Sequence, residues 1–104
     1  MARYNANRIP YSKQDQLMNL FCGVLSRLRT PRAINDFLKD LLNRQERIML
    51  IRRLLIAERL LEGKTYQEIQ HKLHVGPSTI ARVDRWLHFG RGGLKSAIQA
   101  KKLT

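Results

Sequence analysis

Four polar side chains in the C-terminal third of the chain have types and spacing suited to reading a polyanion: Ser78, Thr79, Arg82 and Arg85. Serine and threonine hydroxyls both donate and accept hydrogen bonds. Arginine offers a planar fork of donors that matches a guanine edge or a phosphate. Lys64, Lys72, Arg91 and Lys95 flank this group and suit phosphate oxygens. Rival chemistries are poorly supplied. His71 and His74 lie three apart, with His88 further on, but no carboxylate or cysteine completes a zinc set, so no metal site is expected. Cys22 is the only cysteine, which excludes an internal disulfide. Its place in an apolar stripe reads as a buried small hydrophobe. There is no Ser/His/Asp signature, and Gly90-Arg91-Gly92-Gly93 follows a helical pattern, where a phosphate-binding glycine loop would follow a strand. No enzymatic activity is expected.

The charge agrees with a polyanionic partner. The 104 residues carry 20 Lys+Arg against 8 Asp+Glu, a formal net charge of +12. Residues 64–104 hold 8 basic and 2 acidic side chains, so half the excess lies there. Nucleic acid is the default partner for such a balance; a membrane surface or an acidic protein is the alternative. The longest aliphatic runs, Ile48-Met49-Leu50-Ile51 and Leu54-Leu55-Ile56-Ala57, fall far short of the ~18 apolar residues of a membrane helix. The N-terminus shows no apolar signal segment. The expectation is a small basic cytoplasmic domain, nucleoid-associated, with a core thin enough for a second subunit to help.

Helical elements must position those side chains. Residues 1–12 read as a basic arm with Arg3 and Arg8, either in contact with DNA or disordered, and residues 13–104 as a single domain. Ser12, with Asp15 three residues on, predicts the N-cap of a first helix. Leu17, Leu20, Phe21, Val24, Leu25 and Leu28 supply its apolar stripe, and Met18 is expected in the core. Thr30-Pro31 restarts the chain as a second helix with Ile34, Phe37, Leu38, Leu41 and Leu42 inward. Asn43-x-x-Glu46 is a further capping signal, opening a third helix over about 44–62 that Gly63 stops. Apolar residues cover much of its circumference, Met49 among them, which predicts burial on several sides. Its own chain or a second subunit would do the covering, and the homodimer is the favoured reading for helices 13–62.

Residues 65–89 read as a helix-turn-helix. Thr65-x-x-Glu68 caps a short helix with Tyr66, Ile69 and Leu73 inward. His74-Val75-Gly76 is a turn in which Gly76 is expected to take a backbone conformation closed to other residues. Pro77 fits the first turn of the next helix. At about 100° per residue, Ile80, Val83 and Leu87 fall within about 60° of one another, and Ser78, Ala81, Arg82 and Arg85 face the other way with Thr79 on a flank. Small side chains at the leading end of the exposed face suit entry into the major groove. A plain helical hairpin with a solvated polar face is the competing reading. A last helix is expected over 92–102. No strand pattern occurs, so the fold class is all-α.

Residues 42–94 resemble the Trp repressor superfamily, in its YerC/YecD branch of Trp-repressor-related proteins. The resemblance rests on Gln45-Glu46-Arg47, Arg53, Leu60-Leu61-Glu62-Gly63-Lys64-Thr65-Tyr66-Gln67-Glu68-Ile69, Gly76-Pro77-Ser78-Thr79-Ile80-Ala81-Arg82-Val83 and Trp86-Leu87-His88-Phe89-Gly90. Residues 17–41 match in pattern only. The resemblance implies a six-helix subunit and an intertwined homodimer with recognition helices about one DNA turn, roughly 34 Å, apart. It implies that Gly76, Pro77, Ser78, Thr79 and Ala81 form the reading end, and that Tyr66, Gln67 and Gln70 face phosphates or bases. It also implies an effector pocket at Arg53 and Arg82, whose counterparts in the tryptophan-sensing relatives sandwich an indole. The sequence departs from that pattern in the turn, where His74 stands at a position most helix-turn-helix turns give to glycine; histidine can adopt the left-handed conformation there at some cost. It departs in the pocket as well, where Trp86 replaces a small hydroxyl residue and Asn43 replaces a threonine. Trp86 is therefore expected to fill the pocket with its own indole, which makes L-tryptophan or another small effector doubtful. The resulting function is a sequence-specific duplex-DNA-binding transcription regulator. The alternative is a basic module that meets an acidic protein or structured RNA.

Overall fold

The computed structural model describes residues 5–100. A single 3-10 turn, Ala6–Arg8, precedes six α-helices: α1 (Tyr11–Leu25), α2 (Pro31–Leu41), α3 (Arg44–Leu61), α4 (Tyr66–Leu73), α5 (Pro77–Phe89) and α6 (Gly93–Ala100). No strand occurs among the described residues. Arg3 and the tail beyond residue 100 lie outside them. Contacts divide the chain into two compact units that meet in sequence at Leu41 and Leu42.

In the first unit α1 starts one residue before the expected cap. Its N-cap is Pro10, with φ −56° and ψ 146°, and no side chain caps it. Pro10 holds φ near its ring-fixed value, so Tyr11 is already helical and Ser12 falls inside the first turn. Thr30 does cap α2, its hydroxyl accepting from the Ala33 amide at 3.1 Å. Phe21 and Phe37 join the two helices, ring centroids 6.3 Å apart and tilted. No residue of α1 or α2 is fully buried. Cys22 and Met18 are exposed, against expectation. Two helices in contact cover only one side of an apolar stripe, and these residues lie beyond that contact.

The second unit is built around α3, which touches α4, α5 and α6. Asn43 and Glu46 form the predicted capping box, each side chain bonded to the other's backbone amide at 2.9 Å. At the far end Gly63 takes φ 83°. The Gly63 amide donates to Leu60 and the Lys64 amide to Arg59, both at 3.0 Å, which satisfies carbonyls the helix end would leave free. The C-terminal half of α3 enters the core: Ile56 and Ala57 are fully buried with Ile69, Ile80, Val83 and Ile98, ringed by Leu60, Tyr66, Leu73, Val75 and Leu87. The N-terminal half does not. Ile48, Met49, Leu50, Ile51 and Leu54 are all exposed, so Met49 is not a core residue of the unit.

The α4–α5 pair has the predicted frame with one change in its turn. Thr65 caps α4, accepting from the Glu68 amide at 3.1 Å. The left-handed residue is His74, at φ 54° and ψ 48°. Gly76 has φ −79° and ψ 159°, an extended conformation open to any residue, and a Cβ there would meet nothing within 4 Å. The expectation placed on Gly76 is thus corrected: the chain reverses at the residue directly after α4. Arg52 holds that residue, its Nη2 donating to the carbonyls of Leu73 at 2.9 Å and His74 at 2.8 Å. Pro77 opens α5 as expected. At the other end a Cβ on Gly90 would run into the Trp86 carbonyl, so only glycine fits where α5 stops.

Candidate nucleic-acid interface

Helix α5 is two-sided because its sequence is. Ile80 and Val83 are buried and Leu87 is half-buried against α3 and α4, which fixes the helix by its inner stripe. The opposite side carries Ser78, Ala81, Arg82 and Arg85, with Thr79 on a flank, all exposed, and Pro77 and Gly76 lead into it. Gly76 has no side chain to cap the helix, and no capping bond forms there. The first amides of α5 therefore lack a side-chain partner at the end where the small residues cluster. On α4, Gln67 and Lys72 are exposed and Gln70 is half-buried. Arg91 and Lys95, on the α5–α6 loop and α6, are exposed as well. Lys64 and Lys72 both line a concavity of about 410 Å³, whose charges are mixed because Glu62 and Glu68 share its wall.

Tyr66, which the resemblance offers to phosphates or bases, faces inward as its place in the apolar stripe of α4 predicts. It is half-buried on the core, and its hydroxyl donates to Asp84 Oδ2 at 2.8 Å. That hydrogen bond, together with desolvation and the carboxylate's charge, holds the phenol above its ordinary range.

The residues expected at an effector pocket separate into two groups. Arg53, Arg82 and Trp86 line one cavity of about 340 Å³ with Arg52, His74 and Thr79. This is the small end of the range for ligand pockets. The Arg53 guanidinium lies 5.4 Å from the Trp86 ring centroid, a cation–π contact. Trp86 forms a wall and does not fill the space; at 38% exposure its ring edges onto solvent. Asn43 is absent from the lining, since its side chain is committed to capping α3. Arg53 lies ten residues further along the chain, about 15 Å of helical rise. The three histidines go to different places. His74 lines the Arg53–Trp86 cavity, His71 the concavity beside Lys64, and His88 pairs with Asp84 at 3.1 Å. Among the described residues no group of three or more His, Cys, Asp or Glu could hold a metal ion.

The spacing of residues does not mark the bonds by which Arg52 and Asp84 hold the helix pair, because Leu73, His74 and Tyr66 lie 18 to 22 residues from them.

This geometry has a counterpart among known proteins. Residues 16–102 match the family model for Trp repressor protein. The chain belongs to the Trp repressor family. An uncharacterised protein of Bacillus subtilis, YerC, is 34% identical over 89 residues, spanning 86% of this chain and 85% of its own. A solved TrpR-like protein from Eubacterium eligens superimposes with a TM-score of 0.73 at 30% identity, covering 83% of this chain and 88% of that one. The match extends the resemblance upstream of residue 42 into α1 and α2. The described residues of this Trp-repressor-like chain thus hold six α-helices, of which α4 and α5 form a helix-turn-helix. No helix among its described residues is long and apolar enough to cross a membrane.

Proposed function

We propose that the protein is a sequence-specific, duplex-DNA-binding transcription regulator that works as a homodimer through α4 and α5. The observation that carries this reading is the division of α5, with Ile80 and Val83 buried, Ser78, Ala81, Arg82 and Arg85 exposed on the other side, and Thr79 exposed on a flank. A helix anchored in this way presents hydroxyls and guanidinium forks to base edges in the major groove. Gln67, Gln70, Lys72 and Arg91 supply phosphate contacts that set register. Membership of the Trp repressor family and the +12 charge support the same conclusion.

The homodimer is supported by the exposed apolar side of α3, where Ile48, Leu50, Ile51 and Leu54 remain uncovered by their own unit. Two copies related by a two-fold axis would set two α5 helices on a pseudo-palindromic site. The cavity at Arg53, Arg82 and Trp86 is the place for any effector, with L-tryptophan disfavoured because Trp86 already occupies the Arg53 face. Cytoplasmic, nucleoid-associated action follows from a DNA partner.

Fluorescence anisotropy of a labelled duplex, titrated with protein across a range of salt, tests the proposal. Binding should weaken steeply, the slope of log K against log salt growing with each phosphate neutralised. A nearly flat plot, or equal competition by structured RNA, would rule the reading out.

A further inference from the structure

Asp84 is the only acidic residue after Glu68. A carboxylate on a helix that approaches DNA opposes binding, because it repels the phosphates that the surrounding cations attract. Its surroundings show another use. Oδ2 accepts from the Tyr66 hydroxyl at 2.8 Å, and Oδ1 lies 3.1 Å from His88 Nδ1. Tyr66 opens α4 and Asp84 lies two turns into α5, so this bond ties the two helices at the end away from their turn. Arg52 fixes the turn itself through the Leu73 and His74 carbonyls. The apolar stripe anchors α5 on the core, and these two attachments, at opposite ends of the helix pair, restrict the angle it takes against α4. The partly covered position of Tyr66, packed on the core, leaves its hydroxyl directed across the pair.

We infer that Tyr66 acts on DNA recognition as a positioning residue, through Asp84, by fixing the angle of α5 against α4. The inference rests on the DNA-binding reading above and deepens it. The rival role for Asp84 is a simple charge that tempers binding to every duplex; the rival role for Tyr66 is a direct phosphate contact. Both rivals change affinity for all sequences alike, whereas a misplaced α5 loses the selected site alone.

The test is the ratio of affinities for a selected duplex and a scrambled one, measured on the full chain. Charge effects common to both duplexes cancel in that ratio. Tyr66→Phe keeps the ring in the core and removes no charge; it should lower the ratio about tenfold, the scale of one hydrogen bond to a charged group. Asp84→Ala should lower it equally, and the double variant should lose no more than either single one. Asp84→Asn, which keeps an acceptor for the tyrosine, should recover part of the loss. An unchanged ratio in Tyr66→Phe, or additive losses in the double variant, would overturn the positioning role while leaving the DNA reading intact. A wild-type chain that binds no duplex would overturn the DNA reading and the positioning role with it.

Discussion

Arg52 on α3 donates a 2.8 Å hydrogen bond to the carbonyl of His74, the only non-glycine residue among those described with a positive φ. The left-handed conformation costs a side-chain-bearing residue about 1–2 kcal/mol. A charge-assisted bond to the same peptide is worth a similar amount. The arginine therefore holds the turn shape that the residue type disfavours, and it links α3 to the α4–α5 pair.

Substitutions in the turn should follow its torsions and not its glycine. Gly76→Ala should be neutral or raise stability by up to ~1 kcal/mol, since the backbone there is ordinary and the space is open. Arg52→Ala should lower stability by about 1–3 kcal/mol. Urea titration followed by circular dichroism measures both. Destabilisation by Gly76→Ala of more than ~1 kcal/mol would show that Gly76 carries the reversal after all.

Tyr66 should ionise later than an ordinary tyrosine. Its ordinary value is 10.0, and the Asp84 carboxylate raises it. A phenol whose folded pKa is raised contributes stability that is fully present below the unfolded value and is lost as pH rises through the folded value. Stability should therefore begin to fall above pH 10.0, and Asp84→Ala should weaken that dependence, leaving only the part that desolvation causes. Absorbance at the tyrosinate band, compared between wild type and Tyr66→Phe, assigns the late titration.

L-tryptophan should leave the melting temperature unchanged. A ligand held at one hundred times its Kd would add about 2.7 kcal/mol of stability, a shift that thermal scanning readily detects. The Arg53 face that would take an indole is already stacked against Trp86, 5.4 Å from ring centroid to guanidinium. A rise on adding L-tryptophan would show that the remaining cavity of about 340 Å³ accepts the amino acid.

Charge introduced on the uncovered side of α3 should break the dimer. Ile51→Glu and Leu54→Glu alter side chains that are exposed within their own unit, so the unit's core stays whole. Light scattering should report a dimer for wild type and a monomer for the variants. Burying unpaired carboxylates at an apolar interface costs several kcal/mol. A monomeric wild type would contradict the expected assembly.

What the sequence could show depended on distance along the chain. The Asn43–Glu46 box, the Thr65 cap, the Gly63 stop and Pro77 were legible because capping acts over three or four residues. The inner stripe of α5 was legible because helical periodicity alone defines it. The bonds from Arg52 to the turn and from Tyr66 to Asp84 were not, since only the folded packing of three helices brings them together. Cys22, Met18 and Met49 show a different limit. Apolar spacing marks the side of a helix that would be covered, but it does not say what covers it within one chain. For Trp86, size suggested a plug for the cavity, and its stack on Arg53 makes it a wall instead.

Selection of bound duplexes from a random pool tests whether α5 reads DNA sequence as part of a dimer. Wild type should enrich a two-fold symmetric consensus with half-sites about 10 base pairs apart, centre to centre. The consensus should change when Ser78 and Thr79 are replaced by Ala, and Lys72→Ala should bind every sequence more weakly alike. No enrichment over the starting pool, or a consensus indifferent to Ser78 and Thr79, would contradict sequence reading by α5.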